Sequence, residues 1–387
     1  MIPLKYNVRN LRVRWVTTAL IVLGTGMVVW SSCILFGFVD GLQHSLRISG
    51  EPLDLIVLRK GADSESTSGF DADKAGDIAN LRGIARTPSG LPLVAAEVLN
   101  IPTMRRTDGS RANVIVRGVE PASRPLRPAF TIVQGRDFSP GKGECIVSRN
   151  LARRFRGAGL GGDLRVSDRE AYRVVGLFTA GGSAAESEVW VDLGDLRRNI
   201  GREGSVSCVQ LRAADPKALA TLKATLADDP QFKLLPLGEA EYYRKQSRSG
   251  TFLKAAGTLI AILLTIAAMF ASANTMYAAV KSRTREIGTM RALGFPRRDI
   301  LVSFLAESLM LCSLGGLLGL LATLPLRALT FNTSNFDTFT EVAINFRLGP
   351  WVMVGAFAMT LAMGLFGGLF PAFRAVKLDV VRALREL

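Results

Sequence analysis

Residues Trp15–Val39 read WVTTALIVLGTGMVVWSSCILFGFV and contain no charged side chain. A helix needs about 20 residues to cross roughly 30 Å of hydrocarbon, so this stretch is long enough to span a membrane. Three later stretches are almost as free of charge: Ala255–Val280, Ile300–Leu326 and Leu348–Phe373. The four stretches predict a helical membrane protein with four transmembrane helices and exclude a soluble globular chain.

The composition of the whole chain limits its chemistry. Of 387 residues, 48% are hydrophobic, so disorder is excluded. The single histidine, His44, excludes a histidine-based triad, a multi-histidine zinc site and a histidine proton relay. The sequence contains no GxxxxGK[ST] motif, so we expect no ATPase activity of its own. We therefore expect a non-catalytic chain with no catalytic residue and no metal ligand.

The net charge of +15 lies mainly in three short segments at the edges of the apolar stretches. Basic short segments stay in the cytoplasm, which predicts cytoplasmic termini and an extracytoplasmic region between the first two helices. Anionic lipid accounts for the basic residues, so a nucleic-acid partner is not expected. We interpret the first stretch as a retained helix, because its apolar run exceeds that of a signal peptide. The basic residues are Lys5, Arg9, Arg12 and Arg14; Lys281, Arg283, Arg285, Arg291, Arg297 and Arg298; and Arg374, Lys377, Arg382 and Arg385.

These boundaries give the expected order of segments. It is a cytoplasmic N-terminal segment (1–14), a transmembrane helix (15–39), an extracytoplasmic domain with stalk helices (40–250), a second transmembrane helix (251–280), a cytoplasmic helix (281–299), a third transmembrane helix (300–326), a short outer loop (327–347), a fourth transmembrane helix (348–373) and a cytoplasmic tail (374–387).

The outer region mixes strand-like and helix-like patterns, which predicts an α/β domain inserted between the first and second transmembrane helices. Polar helical patterns at Leu237–Lys254 and Gly41–Ile48 predict stalks that continue two of the membrane helices outward. Expected strands are Leu93–Val98, Asn113–Val119, Cys145–Val147, Tyr172–Phe178, Glu188–Val191 and Val206–Leu211, and expected helices are Arg149–Arg156, Leu193–Ile200 and Pro216–Leu226.

Two loops and two cysteines of the outer region leave alternatives open. Gly61–Gly76 is rich in Ser, Gly and Asp, which predicts an exposed loop. Gly157–Gly162 holds four glycines; we interpret it as a plain turn rather than a phosphate-binding loop, since no GxGxxG fits and no Lys-Ser/Thr follows. Cys145 and Cys208 can form a disulfide if this region is extracytoplasmic, but their spacing alone does not decide it.

The segment Lys281–Ile300 reads KSRTREIGTMRALGFPRRDI. Ile287, Met290 and Leu293 recur every third residue, which predicts a short amphipathic helix. Gly294 suits a left-handed C-cap and Pro296 prevents continuation. The spacing alone leaves two roles open: a helix that lies on lipid headgroups, or one that fills a groove on a soluble partner.

Two stretches resemble the FtsX-like/MacB-type ABC transporter permeases. Thr284–Leu321 follows the family pattern REIG-x-x-(K/R)-A-(L/I)-G, and the order of one helix, a large outer domain and three helices is also similar. Pro371–Leu387 resembles the family's C-terminal pattern, with Val380 where the family has a second proline. The residues that match the first pattern are Arg285, Glu286, Ile287, Gly288, Arg291, Ala292, Leu293 and Gly294.

The resemblance implies a bacterial inner-membrane permease subunit whose cytoplasmic helix, Met290 included, docks on an ATPase. The implied partners are two ABC ATPase subunits, which carry the ATP and Mg, and a second permease subunit in a homodimer or heterodimer. A periplasmic adaptor and an outer-membrane channel are further candidates. Because little sequence precedes the first span, we expect the ATPase to be a separate chain. The alternative function is that of an FtsX-like regulator, which activates an extracytoplasmic partner such as a cell-wall hydrolase.

Small residues and one charge stand out inside the predicted spans. Gly315, Gly316 and Gly319 in the third span, and Gly364 and Gly368 in the fourth, allow close helix packing, within one subunit or between subunits. Glu307 is the only acidic residue in a span. It lies two turns from the cytoplasmic end, so water, Arg297 or Arg298 can satisfy it, and we expect a structural ion pair rather than a proton or substrate role.

Overall fold

The computed structural model describes residues 15–167, 170–246, 248–328, 330–334 and 340–377. These residues form two compact units. The first, a membrane unit, holds residues 15–41, 252–328 and 346–377, and the second, an outer domain, holds the described residues within 42–251 and 330–345. The predicted N-terminal segment, residues 1–14, lies outside the described residues. So do residues 378–387, which form most of the predicted C-terminal tail and the last part of the stretch that resembles the family's C-terminal pattern.

Ten α-helices occur in the described residues, and four of them are long and apolar enough to cross a membrane. The predicted fold class is confirmed in this respect. The four long helices are those numbered α1, α7, α9 and α10 in the list that follows. In chain order the ten are α1 (Trp15–Ile48), α2 (Asp73–Ala79), α3 (Arg149–Ala152), α4 (Leu193–Ile200), α5 (Pro216–Asp228), α6 (Glu239–Gln246), α7 (Arg248–Lys281), α8 (Thr284–Ala292), α9 (Arg297–Thr323) and α10 (Pro350–Val376), with 3₁₀ turns at Pro121–Ser123, Ala184–Ser187 and Leu324–Ala328.

The long helices present apolar side chains to their surroundings. Leu20, Leu263, Phe270 and Trp351 are among the exposed large hydrophobic residues. In water such a surface would be unfavourable, whereas lipid tails accept it. The described part of this unit is therefore built for a bilayer.

The outer domain is a mixed α/β structure, as predicted. Its strands are β1 (Asp54–Arg59), β2 (Phe70–Asp71), β3 (Val94–Asn100), β4 (Thr103–Arg105), β5 (Arg111–Asn113), β6 (Ile115–Val119), β7 (Thr131–Gly135), β8 (Glu144–Ser148), β9 (Asp163–Arg165), β10 (Ala171–Thr179), β11 (Glu188–Asp192), β12 (Ser205–Val206), β13 (Cys208–Arg212), β14 (Leu234–Gly238), β15 (Thr330–Ser334) and β16 (Glu341–Asn345).

Ten of these strands form one sheet, in the order β14-β1-β13-β3-β6-β11-β8-β10-β7, with β9 paired to β10. The β6–β11 and β8–β10 pairs are parallel, and the other pairs in the sheet are antiparallel. One face packs a large apolar core against α2, α4 and α5, in which Leu55, Val116 and Leu226 are fully buried. The other face carries a smaller cluster around Phe178 and Trp190.

Several local predictions for the outer domain agree with the structure. The predicted helix Leu193–Ile200 is α4, and Pro216 begins α5, where the Asp215 carboxylate accepts a hydrogen bond from the Ala218 N–H at 2.8 Å. The predicted helix from Arg149 is shorter than expected, since α3 ends at Ala152. Strands β1, β7 and β14 had no counterpart in the prediction.

The predicted exposed loop Gly61–Gly76 was wrong. Ser64, Glu65 and Ser68 within it are buried. The composition suggested a solvent-facing loop, but the polar side chains form internal hydrogen bonds and Glu65 pairs with a buried arginine.

The two stalk predictions have different outcomes. Helix α1 continues without interruption through Gly41–Ile48. The predicted helix from Leu237 was wrong in its first residues, because Leu237 and Gly238 pair with β1 as part of β14. Helix α6 begins at Glu239, and Ser247 between α6 and α7 lies outside the described residues.

The segment between α9 and α10 contains a hairpin. Strands β15 and β16 pair in antiparallel fashion and group with the outer domain. The segment expected to be a short loop therefore adds two strands to that unit.

All four cysteines are free and buried. Cys145 and Cys208, whose pairing the sequence left open, lie on different strands, β8 and β13, and form no disulfide in this structure. Burial raises the pKa of Cys145 to about 12, so its thiol stays protonated.

Candidate functional site

The candidate site is the segment between α7 and α9. Helix α8 begins at Thr284, whose hydroxyl donates to the Lys281 carbonyl at 2.8 Å. It ends before Gly294, which has φ +92°. The Gly294 N–H donates to the Arg291 carbonyl, and the Phe295 N–H donates to the Met290 carbonyl, both at 3.1 Å. These bonds close the last turn, and a left-handed residue at this point favours glycine.

The predicted apolar stripe of α8 is divided between two environments. Ile287 is buried, with 1% of its surface exposed, and Gly288 is buried beside it. Leu293 is 73% exposed, and Met290 is half-buried. Ile287 therefore holds the helix to the membrane unit, whereas Leu293 faces outward. The remaining predicted docking residues divide in the same way: Arg285, Glu286, Ala292 and Gly294 are exposed, and Arg291 is half-buried.

A buried ion pair anchors the start of α8. Arg283 Nη1 lies 2.8 Å from Glu307 Oε2, and both side chains are almost fully buried. The Arg283 guanidinium carbon also lies 5.9 Å from the centre of the Phe304 ring. A buried charge needs a partner, so the pair links the residue before α8 to the interior of α9.

This pair corrects a prediction. The expected partners of Glu307 were Arg297 and Arg298, which are nearer to it in sequence, but both are exposed. Arg283 reaches Glu307 from the turn between α7 and α8. The structural ion pair was predicted correctly, and its cation was not.

The predicted glycines of α9 contact two different helices. A Cβ atom on Gly315 would lie 2.6 Å from the Val22 carbonyl oxygen, and one on Gly319 would meet the Gly26 carbonyl of α1. A Cβ on Gly316 would meet the Thr360 hydroxyl of α10. Within the described chain, these glycines bring helix backbones together where any side chain would collide.

The glycines of α10 lie against α9 in return. A Cβ on Gly368 would lie 2.6 Å from Ser308 Cβ, and one on Gly364 would lie 3.0 Å from Leu309 Cα. The Ser308 hydroxyl donates to the Gly364 carbonyl at 2.8 Å. The close approach thus allows a hydrogen bond between the two helices.

The outer domain contains a buried charge cluster that the sequence reasoning missed. Its centre is Arg117 on β6, which is 2% exposed. The guanidinium of Arg117 donates to Glu65 at 2.9 Å, to Glu97 at 2.7 Å and to Glu188 at 2.7 Å. Arg127 donates to both carboxylate oxygens of Glu97, at 2.7 and 2.8 Å.

The cluster is satisfied internally. Burial by itself would raise the pKa of Glu97, but the guanidinium groups of Arg127 and Arg117 outweigh it and hold that pKa at about 2. The Trp190 indole donates to Glu188 at 2.8 Å. The thiol of Cys208 also lies beside Glu65 and Glu97, but these carboxylates are already neutralised by arginines. The arrangement is suited to holding strands together rather than to binding a metal ion.

One signal in the sequence could have identified this cluster. Glu97, Arg117 and Glu188 each interrupt an apolar strand-like run, in VAAEVLN, VIVRGV and SEVWV. A charge inside a buried strand must find an opposite charge. The sequence does not show which charges meet, because the three strands are far apart along the chain.

Two family models match the chain. The model described as "MacB-like periplasmic core domain" matches residues 18–228, and the model described as "FtsX-like permease C-terminal" matches residues 258–380. The second range contains α8, α9 and α10.

Named relatives match different parts of the chain. A pyoverdine export ATP-binding/permease protein, PvdT, of Pseudomonas putida is 40% identical over 111 residues, which is 29% of this chain and 16% of the relative. A macrolide export ATP-binding/permease protein, MacB, of Nitrosomonas europaea is 24% identical over 399 residues, which is 96% of this chain and 58% of the relative. The chain thus spans little more than half of the latter's length.

Among solved structures, the periplasmic region of MacB from Actinobacillus actinomycetemcomitans is similar at 11% identity. The match covers 51% of this chain and 94% of that chain, with a TM-score of 0.38.

Proposed function

Since the chain belongs to the family of FtsX-like permeases with a MacB-like periplasmic core domain, we propose that it is the permease subunit of an ABC exporter whose ATP hydrolysis is performed by a separate ATPase subunit. The sequence holds no P-loop. In this proposal two permease subunits pair, two ATPase subunits bind them, and ATP binding and hydrolysis move the outer domains to drive export or extrusion of cargo.

The geometry of α8 is the observation that carries the proposal. The Arg283–Glu307 pair and the buried Ile287 hold one side of the helix to the membrane unit. The helix also presents Leu293, which is 73% exposed, together with the exposed Arg285 and Glu286. A helix that is fixed on one side and exposes an apolar residue on the other is suited to transmit a push from a bound partner.

Helix α1 supports the mechanical part of the proposal. It contains 34 residues without interruption, about 50 Å at 1.5 Å per residue. Inside the outer domain, the Ser45 hydroxyl donates to the Gly182 carbonyl at 2.7 Å, and the Ala184 N–H donates to the Ser49 hydroxyl at 2.8 Å. The helix end is thus bonded to the outer domain, so movement of the helix would be carried into it.

The orientation is also part of the proposal. The basic segments place both termini and α8 in the cytoplasm and the outer domain in the periplasm. The names of the relatives refer to pyoverdine and macrolide export. We extend only the general role of export to this chain. A periplasmic adaptor and an outer-membrane channel are the candidate partners on the outer side. The alternative role of an FtsX-like regulator has no observation of this structure in its favour.

The exposed Leu293 allows a direct test. We expect Leu293→Asp to abolish capture of an ABC ATPase when the tagged full-length chain is purified from its native membrane and P-loop ATPases are identified by mass spectrometry. A charge at the centre of an apolar contact typically costs at least about 2 kcal/mol, or more than tenfold in affinity. The variant should remain inserted and monodisperse, because the side chain has no buried contacts to lose.

The matched control is Leu91→Asp in the outer domain, a leucine that is 65% exposed. It should leave ATPase capture unchanged. Ile287→Asp is unsuitable, because it would place a charge in a buried position and disturb folding. Undiminished capture by Leu293→Asp, or no captured ATPase with the wild-type chain, would contradict the proposal.

A further inference from the structure

A cleft in the outer domain is lined by arginines. It lies between the β4–β5 hairpin and β9 and has a volume of about 700 Å³. Among its lining residues are Arg105, Arg111, Arg156 and Arg165, and all four side chains are exposed. A cleft of this size is in the range of small-molecule sites.

The charge of the cleft is not balanced by the described residues around it. Among the described residues that line it, Asp163 is the only acidic one, which leaves a net charge of +3 on those side chains. Asp163 is itself paired with Arg173 at 3.1 Å. Within the described part of the chain, the four lining arginines make no side-chain hydrogen bond or ion pair. Their positive potential is therefore directed into the cleft, where low-dielectric walls concentrate it.

The backbone holds like charges together at this place. Arg105 and Arg111 are directly opposite each other in the β4–β5 pair. Like charges in such a cross-strand pair repel and weaken the hairpin. The Arg156 N–H donates to the Arg105 carbonyl at 3.1 Å, which brings a third arginine to the same strand. The fold thus sustains a repulsive arrangement that an anion would relieve.

A neighbouring arginine, Arg154, also lies in a positive electrostatic potential. Burial and the guanidinium of Arg106 lower the pKa of Arg154 to about 10. The Arg154 carbonyl accepts a hydrogen bond from the Thr107 N–H at 2.8 Å, so this residue belongs to the scaffold behind the hairpin. Positive charge is therefore dense on this part of the domain.

We propose that this cleft binds a small molecule that carries two or more clustered phosphate or carboxylate groups. Guanidinium groups bind both kinds of group through paired N–H donors, which single charges cannot match. Two or more anionic groups are needed to neutralise a charge of +3. Gly157 lines the cleft with φ +75°, but the arginine side chains rather than the glycine-rich turn supply the charge. The site is independent of ATPase docking, so either proposal can fail alone.

Calorimetric titration of the full-length chain in a neutral maltoside detergent, at 150 mM NaCl, tests the site. Sodium tripolyphosphate and sodium citrate serve as the phosphate and carboxylate probes, and the arm that binds more tightly identifies the class of group. We expect binding of at least one probe with a Kd below about 1 mM. Arg111→Gln with Arg165→Gln should weaken it at least tenfold, about 1.4 kcal/mol, because charged hydrogen bonds are lost.

The control variant is Arg82→Gln with Arg202→Gln. It removes the same charge from exposed arginines that do not line the cleft. Its affinity should stay within about twofold of wild type, since distant exposed charges are screened at this salt concentration. Unchanged Trp190 fluorescence of both variants, measured in a Trp15→Phe, Trp30→Phe, Trp351→Phe background, would show that the outer domain is folded. Failure of both probes to bind the wild-type chain, or an equal effect of the two double variants, would overturn the proposal.

Discussion

Arg117 is a single residue on which much of the outer domain depends. It joins β6, which carries it, to Glu97 on β3, Glu188 on β11 and Glu65 in the loop after β1. Burying a charge is unfavourable, and here the hydrogen bonds to three carboxylates offset the lost hydration. Removal of the arginine would leave those carboxylates buried with too few partners.

We therefore expect Arg117→Met to destabilise the outer domain by about 3–5 kcal/mol at pH 8. Urea unfolding of the full-length chain, followed by Trp190 fluorescence in a Trp15→Phe, Trp30→Phe, Trp351→Phe background, measures this. The pH dependence distinguishes lost charge from lost packing. In the wild type, the pKa of Glu97 is lowered to about 2, so its contribution is full above pH 4.5 and declines as the pH falls toward 2.

In the variant the pH dependence of the stability contributed by these carboxylates has the opposite sign. Carboxylates left buried without Arg117 have raised pKa values and are more stable when protonated, so the deficit relative to wild type should shrink as the pH falls from 8 to 5. Arg136→Met is the control, because the Arg136–Glu144 pair has an exposed arginine and should contribute little to stability. A loss for Arg117→Met as small as that of the control would show that the cluster does not stabilise the fold.

At the scale of elements, the glycines of α9 allow it to pack closely against neighbouring helices. Gly315 and Gly319 face α1, and Gly316 faces α10, so one helix packs closely against two others. In lipid, such contacts depend on dispersion and on complementary surfaces, because the hydrophobic effect does not drive helices together. A single methyl group at these positions therefore has a large effect.

Two glycine substitutions test this packing. Gly315→Ala should destabilise the membrane unit by about 1–3 kcal/mol, since its Cβ would collide with the Val22 carbonyl. Gly24→Ala should be neutral or stabilising by up to about 1 kcal/mol, because nothing lies within 4 Å and alanine favours a helix. Thermal unfolding is followed by reaction of Cys33 and Cys312 with a thiol-specific dye, in a Cys145→Ala, Cys208→Ala background. Equal midpoints for the two variants would disagree with the packing described.

At the scale of the whole molecule, the chain combines a membrane unit with an outer domain that is interrupted by membrane segments. The outer domain receives residues 42–251 and, much later in the chain, residues 330–345. Two of the long apolar helices, α7 and α9, lie between these two ranges along the chain. The hairpin β15–β16 is thus available to the outer domain although it follows three transmembrane helices.

The proposed orientation predicts which positions an impermeant reagent reaches. In a background without native cysteines, Ser89→Cys in the outer domain should react with a membrane-impermeant maleimide in intact spheroplasts. Thr289→Cys on α8 should react only after lysis. Both positions are exposed, so a difference in reaction reports the side of the membrane. Reaction of Thr289→Cys in intact cells would mean that α8 does not face the cytoplasm.

The four transmembrane helices, the C-cap at Gly294 and the helix Leu193–Ile200 could be predicted from the sequence, because each depends on neighbours within a few residues. Hydropathy over about 20 residues is sufficient for a span, and a glycine with a following proline is sufficient to end a helix. Strand β14 was missed for the opposite reason. Its last two residues, Leu237 and Gly238, were predicted as the start of a helix, and only pairing with β1 decides their conformation.

The partners of charged residues were decided by the tertiary structure alone. Sequence distance pointed from Glu307 to Arg297 or Arg298, whereas the fold brings Arg283 to it. The same holds for Arg117 and its three glutamates, and for the four arginines of the cleft. A charged residue within an apolar run indicates that a partner of opposite charge is needed, because burying the charge alone costs too much free energy. Which partner it meets depends on contacts between residues far apart in the chain, and those exist only once the sheet and the helices have packed.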